Sequence, residues 1–199
     1  MQERRTRGST RVTMLHSAAD MLRERGAAGV TIDGVLARSG APRGSVYHHF
    51  PAGRSQIVRE ALDFAGDEIT ARIDEAADVG AIALLRQFVE MWREKLIDSD
   101  YTAGCPVLAA AVGSGAEGHV DLTPVAGDIF RRWSEASRQA YIRAGFADTE
   151  ASALAHTTIA ALEGAVVLCR SVRSLDPLDD VARQMEFLIE AREFVGKHA

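Results

Sequence analysis

The sequence predicts an all-α protein of about nine helices, because apolar residues recur at spacings of three and four along most of its length while no stretch shows the alternation of a strand. Glycine and proline punctuate these periodic stretches at Ser39-Gly40-Ala41-Pro42, Phe50-Pro51-Ala52-Gly53 and Asp176-Pro177, ending one helix and opening the next. Charge is divided along the chain. Residues 1 to 60 hold ten arginines against five acids, so a head of +5 precedes a body of −10 within a net charge of −5. Such a split is expected when one end meets a polyanion and the other does not. With 47 % hydrophobic and 26 % charged residues, and no run of about 18 apolar ones, neither disorder nor a membrane span is indicated.

The first helix is expected from about residue 10 to 25, with Val12, Leu15, Ala19 and Leu22 on one face. Arg4, Arg5 and Arg7 precede it as a mobile arm, either solvated or able to reach DNA. Thr31 caps a second helix whose face carries Ile32, Val35 and Leu36. Gly40 can end that helix with positive φ, and Pro42 suits the first turn of the next. This third helix is short. It offers Arg43, Ser45, Tyr47 and His48 on its open side and Val46 and Phe50 for packing inward. Two brief helices joined by a glycine-containing turn make a helix-turn-helix, whose second member fits the major groove.

A fourth helix begins near Ser55, with Ile57, Ala61, Phe64, Ala65 and Ile69 in one stripe. Others are expected at residues 80 to 98 and 105 to 113, then, after a loop at 114 to 120, at 124 to 144. The last two should run from Thr149 to about Arg173 and, beyond a break at Asp176-Pro177, from Asp179 to about Lys197. The former is rich in alanine, and the latter carries Val181, Met185, Leu188 and Val195 on one face. No linker interrupts this order, so no hinge is expected between head and body.

The run Gly29-Val30-Thr31, then Ser39 to Pro51 without a gap, then Arg54, resembles the DNA-binding domain of the TetR family of bacterial transcriptional regulators. Gly34 stands where that family commonly has an acidic residue, at a cost of about 1 kcal/mol relative to Ala, and Arg54 stands where it usually has lysine. The resemblance implies a three-helix helix-turn-helix domain at residues 1–54 and a helical ligand-binding and dimerisation domain at 55–199. It places Thr31, Arg43, Gly44, Ser45, Tyr47, His48, His49 and Arg54 at DNA. Thr31, Tyr47 and Arg54 would hold phosphates, Arg43, Ser45 and His48 would read base edges, and His49 either contacts DNA or braces the turn. It also implies a homodimer built by the final two helices. Tyr101 to Val107, YTAGCPV, is similar to the lincomycin-repressor branch, which is associated with drug or flavonoid-like ligands and with efflux genes.

For a small hydrophobic or aromatic effector, the candidates are Phe88, Met91, Trp92, Cys105, Leu108, Phe130 and Trp133, either a cavity wall or plain core. Glu163 and His156, polar in an apolar helix, could orient a ligand or bond at a dimer surface. Cys105 and Cys169 lack any zinc spacing, and His48-His49 point about 100° apart without a carboxylate at ligand spacing, so no metal or other cofactor is expected. No secretory signal is read at the N-terminus, so the expected compartment is the cytoplasm. A helical-bundle enzyme or carrier is the alternative. It lacks a phosphate loop, nucleophile elbow or HExxH motif.

Overall fold

The computed structural model describes residues 7–113 and 120–198, which form nine α-helices and one 3-10 turn without a strand among them. The helices are α1 (Arg7–Arg25), α2 (Ile32–Ser39), α3 (Ser45–His49), α4 (Arg54–Val79), α5 (Ala81–Asp98), α6 (Pro106–Gly113), α7 (Thr123–Arg143), α8 (Asp148–Val172) and α9 (Asp176–His198). The 3-10 turn, Ala27–Gly29, joins α1 to α2. Arg4 and Arg5 of the expected arm lie outside the described residues, whereas Arg7 opens α1; the expected loop at 114 to 120 is described only at Val120.

Packing divides the described chain into two units, one comprising the residues through Asp67 together with the segment Pro106–Gly127, the other Glu68–Cys105 and Asp128–Ala199. The division falls within α4 and gives α6 to the first unit, where it packs on α1. In this head, Met14, Leu15, Ala18 and Leu22 of α1 are buried with Val35, Val46, Phe50, Ile57 and Leu62. Val12, expected on the inner stripe, is exposed, because the buried face of α1 is centred on the 15–18–22 line. Gly34 has a packing reason. A Cβ there would meet the Met21 side chain at 2.5 Å, so the thioether occupies the space an acidic residue would need, and the propensity gained by Ala would be set against moving Met21.

In the second unit, α7 is tied to the distal part of α4 by Trp133 Nε1 donating to Thr70 Oγ1 at 2.9 Å and by Arg143 donating to the Ala77 carbonyl at 2.6 Å. Arg86–Glu186 (2.7 Å) and Arg93–Asp179 join α5 to α9. The chain leaves α8 through Arg173 in the left-handed region, and Asp176-Pro177 opens α9 instead of lying before it. Proline is tolerated in a first turn because its missing N–H would have no intrahelical partner. The inner stripe of α9 is Leu178, Met185 and Ile189; Leu188, expected beside them, is exposed with Phe187 and Phe194. Helix α8 is long and apolar enough to cross a membrane, a test that the core helix of a water-soluble protein also passes. Here it packs along α9 and carries a buried Thr158–Tyr141 hydrogen bond of 2.8 Å.

Candidate nucleic-acid interface and effector site

Thr31 is extended (φ −117°, ψ 151°), and its Oγ1 accepts from the Gly34 N–H at 3.0 Å, capping α2 as expected. At the other end Gly40, at φ 63°, donates its N–H to the Leu36 carbonyl at 3.0 Å, a left-handed C-cap that a side chain would strain. Pro42 does not enter α3. Its carbonyl instead accepts from the N–H and hydroxyl of Ser45, at 2.9 and 2.6 Å, so a turn intervenes and α3 starts three residues later.

The inner and outer faces around α3 are distinct. Val46 and Phe50 are fully buried, while Tyr47 is 63 % exposed and His48 is exposed beside it. The guanidinium of Arg11, itself paired with Glu60, lies 5.1 Å over the Phe50 ring, which fixes the end of α3 to α1 by a cation–π contact. Arg43 is 83 % exposed and bonds Asp33 at 2.7 Å across the turn. A pair so exposed contributes little to stability and leaves Arg43 available to a stronger anion. Gly44 is exposed with open space around its Cβ position. His49 is half-buried, its ring edge-on to His48 and Phe50 at 5.0 and 6.5 Å, which fits a brace for the turn.

Arg54 departs from the expected phosphate contact. Its Nε donates to the Val30 carbonyl at 2.7 Å and its Nη2 to the Ala27 carbonyl at 2.6 Å, so the fork is turned inward onto the 3-10 turn. Sequence spacing carries no sign of this, since the acceptors are main-chain atoms 24 and 27 residues away.

The ring candidates of the body gather as anticipated, but not around an open cavity. Phe88 meets Trp92 and Trp133 edge-to-face at 6.4 and 6.0 Å, and Phe130 meets Trp133 at 5.4 Å. Phe88, Trp92, Trp133, Met91 and Cys105 are all buried. The cavity beside Phe88, bordered by Leu84, Thr158 and Leu162, holds about 10 Å³, no more than one water needs. Leu108 belongs to the other packing unit. Half-buried Phe130 and exposed His156 line a surface cleft of about 500 Å³ with Arg138 and Ser152. Glu163 is only 4 % exposed, and neither carboxylate oxygen has a hydrogen-bond partner. Burial drives its pKa up from 4.5 to about 7, against a weaker lowering by the Cys105 thiol. Trp92 Nε1 is likewise buried without an acceptor. Among the described residues no group of three or more His, Cys, Asp or Glu is placed to hold a metal.

A capped helix-turn-helix with an outward row of donors, carried by an all-helical body, defines the class of helix-turn-helix DNA-binding regulators. The family model described as bacterial regulatory proteins, tetR family, matches residues 14–61, and that described as the LmrA/YxaF-like transcriptional regulator C-terminal domain matches residues 81–184. The chain therefore belongs to the TetR family, in its LmrA/YxaF-like branch. It is 43 % identical over 185 residues to the uncharacterized HTH-type transcriptional regulator Rv0196 of Mycobacterium tuberculosis, covering 91 % of this chain and 94 % of that one. It is 25 % identical to the uncharacterized regulator YxaF of Bacillus subtilis (94 % and 98 % covered) and 23 % identical to LmrA of the same organism (86 % and 92 %). Among solved structures, a regulatory protein TetR from Rhodobacter sphaeroides shares the fold with a TM-score of 0.76 at 22 % identity, over 87 % of this chain and 95 % of that one. A TetR-family regulator from Cytophaga hutchinsonii also reaches 0.76, at 21 % identity over 96 % and 98 %.

Proposed function

We propose that the chain is an intracellular, non-enzymatic homodimeric repressor that holds a palindromic operator and releases it when a small hydrophobic molecule enters the body. The observation that carries the DNA half is the outer face of α3 and the turn before it, where Arg43, Tyr47 and His48 are exposed around a fully buried Val46–Phe50 pair. Residues 1–54 form the reading head and 55–199 the ligand-binding and dimerisation part. Arg43, Ser45 and His48 address base edges, Thr31, Gly44 and Tyr47 approach the backbone, and His49 braces them. Phe88, Met91, Trp92, Cys105, Phe130 and Trp133 form the effector wall, which opens on binding because the rings are packed in its absence; Leu108 is the candidate with least support. Selection of bound fragments from genomic DNA followed by a salt titration tests the reading. Affinity should fall steeply with salt. Arg43→Ala should cost about 1 to 3 kcal/mol of operator binding and relax preference at one base position. Unchanged affinity and specificity would remove α3 from the groove.

The dimer reading rests on the outer faces of α8 and α9. Val167, Leu168, Val172, Phe187, Leu188 and Phe194 are exposed, and Ala160 and Gly164 share the open side of α8 with them. Apolar side chains exposed on two helices that pack together suit a second copy of the chain. Gly164 has no atom within 4 Å of its Cβ position, so Gly164→Arg meets no obstacle within one protomer. The expected result is an undiminished helical spectrum with half the sedimenting mass. A wild-type monomer at micromolar concentration would dismiss this interface.

A further inference from the structure

We propose that Glu163 is the residue by which the body selects its effector, and that the effector is an aromatic molecule carrying a positive charge. This rests on the reading that the body binds an effector at all. The starting point is that the two Glu163 oxygens and Trp92 Nε1 are the buried side-chain polar atoms without a hydrogen bond among the described residues. Native proteins pair nearly all such atoms, so an exception asks for a partner that arrives. Both lie on helices that pack together, Trp92 on α5 and Glu163 on α8, and Leu162, next to Glu163, shares a small cavity with Phe88. Glu163, Phe88 and Trp92 thus belong to one helix pair, and Trp133 joins them from α7 through its contact with Phe88.

The chemistry of that pair favours a cation. A carboxylate in apolar surroundings gains most from a group that brings a full positive charge, and ring faces of Phe88, Trp92 and Trp133 attract the same charge through their quadrupoles. An anion would be repelled by Glu163. A neutral hydroxyl would supply one hydrogen bond but no charge. Among the described residues, the neighbour that favours the ionised form of Glu163 is the Cys105 thiol, a weak donor beside a full charge. Trp92 Nε1 remains as a donor for an acceptor on the same molecule.

Three probes of one shape test this on the full-length protein by calorimetry: 1-naphthylmethylammonium, 1-naphthylmethanol and 1-naphthoate. The wild type should bind the ammonium at least about tenfold more tightly than the alcohol, with naphthoate weakest. Glu163→Gln should bring the ammonium down to the alcohol while leaving the alcohol within about twofold. Glu163→Leu, which removes the unpaired group and keeps bulk, should do the same and melt no lower than wild type. A lower melting temperature in both variants would show that the carboxyl is a structural partner and overturn the inference. So would ammonium and alcohol binding alike, or a Gln variant that keeps the ammonium affinity; in those cases the rings still bind an effector and only the charge selection fails. Binding of none of the three overturns the inference and the assignment of the rings as effector wall together.

Discussion

Arg54→Ala should destabilise the head by about 2 to 4 kcal/mol, because it removes two charge-assisted hydrogen bonds and leaves the Val30 carbonyl, in a fully buried residue, without that donor. The carbonyls of Ala27 and Val30 flank the turn that delivers the chain to Thr31 and α2. Their loss therefore loosens the segment that orients the second helix, and operator binding falls as a consequence of the fold and not through a missing phosphate contact. The two possibilities separate cleanly. A phosphate contact predicts an unchanged melting temperature and a salt slope lower by about one; the inward fork predicts a lower melting temperature and, where the variant is still folded, the wild-type slope. Arg54→Lys should fall between, keeping the charge but losing the paired geometry. Calorimetric melting beside a salt titration decides, and an unaltered melting temperature would return Arg54 to the DNA face.

What the sequence shows of this protein is mostly what is local. The Thr31 cap, the left-handed Gly40 and the inward pair Val46 and Phe50 each follow from a residue type at a fixed offset within one or two turns of helix, and the motif containing them is specific enough to identify the family. Helix limits follow from periodicity to within a few residues for the same reason. What escapes is set by distant chain. The direction of the Arg54 fork depends on carbonyls brought up by the fold, and the exposure of Val12 and Leu188 depends on which of two adjacent faces a neighbouring helix covers. The assignment of α6 to the packing unit of the head likewise has no local signal. Glu163 is the sharpest case: as an acid in the middle of an alanine-rich helix it is compatible with a ligand contact or a surface bond, and only its burial without a partner distinguishes them.

That burial has a measurable consequence in the absence of any effector. Glu163 titrates at about 7 in the folded chain against an ordinary 4.5, and no ionised side chain among the described residues contributes to the shift. Below pH 4.5 both folded and unfolded chains hold the proton, and the stability associated with it is fully present. Between 4.5 and about 7 the unfolded chain releases the proton while the folded chain keeps it, so stability falls as pH rises, by about 3 kcal/mol in all. Above that range both states are ionised and the loss stops growing. Acids such as Glu135 and Glu150, whose arginine partners lower their pKa, give the opposite slope, mainly below this interval, and add to any measured pH profile. The comparison must therefore be made between wild type and Glu163→Gln, in which those contributions cancel. The two proteins should be of similar stability near pH 5, and the Gln variant should be the more stable by up to about 3 kcal/mol near pH 8. Denaturant unfolding at a series of pH values measures the difference directly. A gap that stays constant from pH 5 to 8 would mean that Glu163 titrates alike in both states, and hence that its carboxylate is solvated or paired in the folded protein.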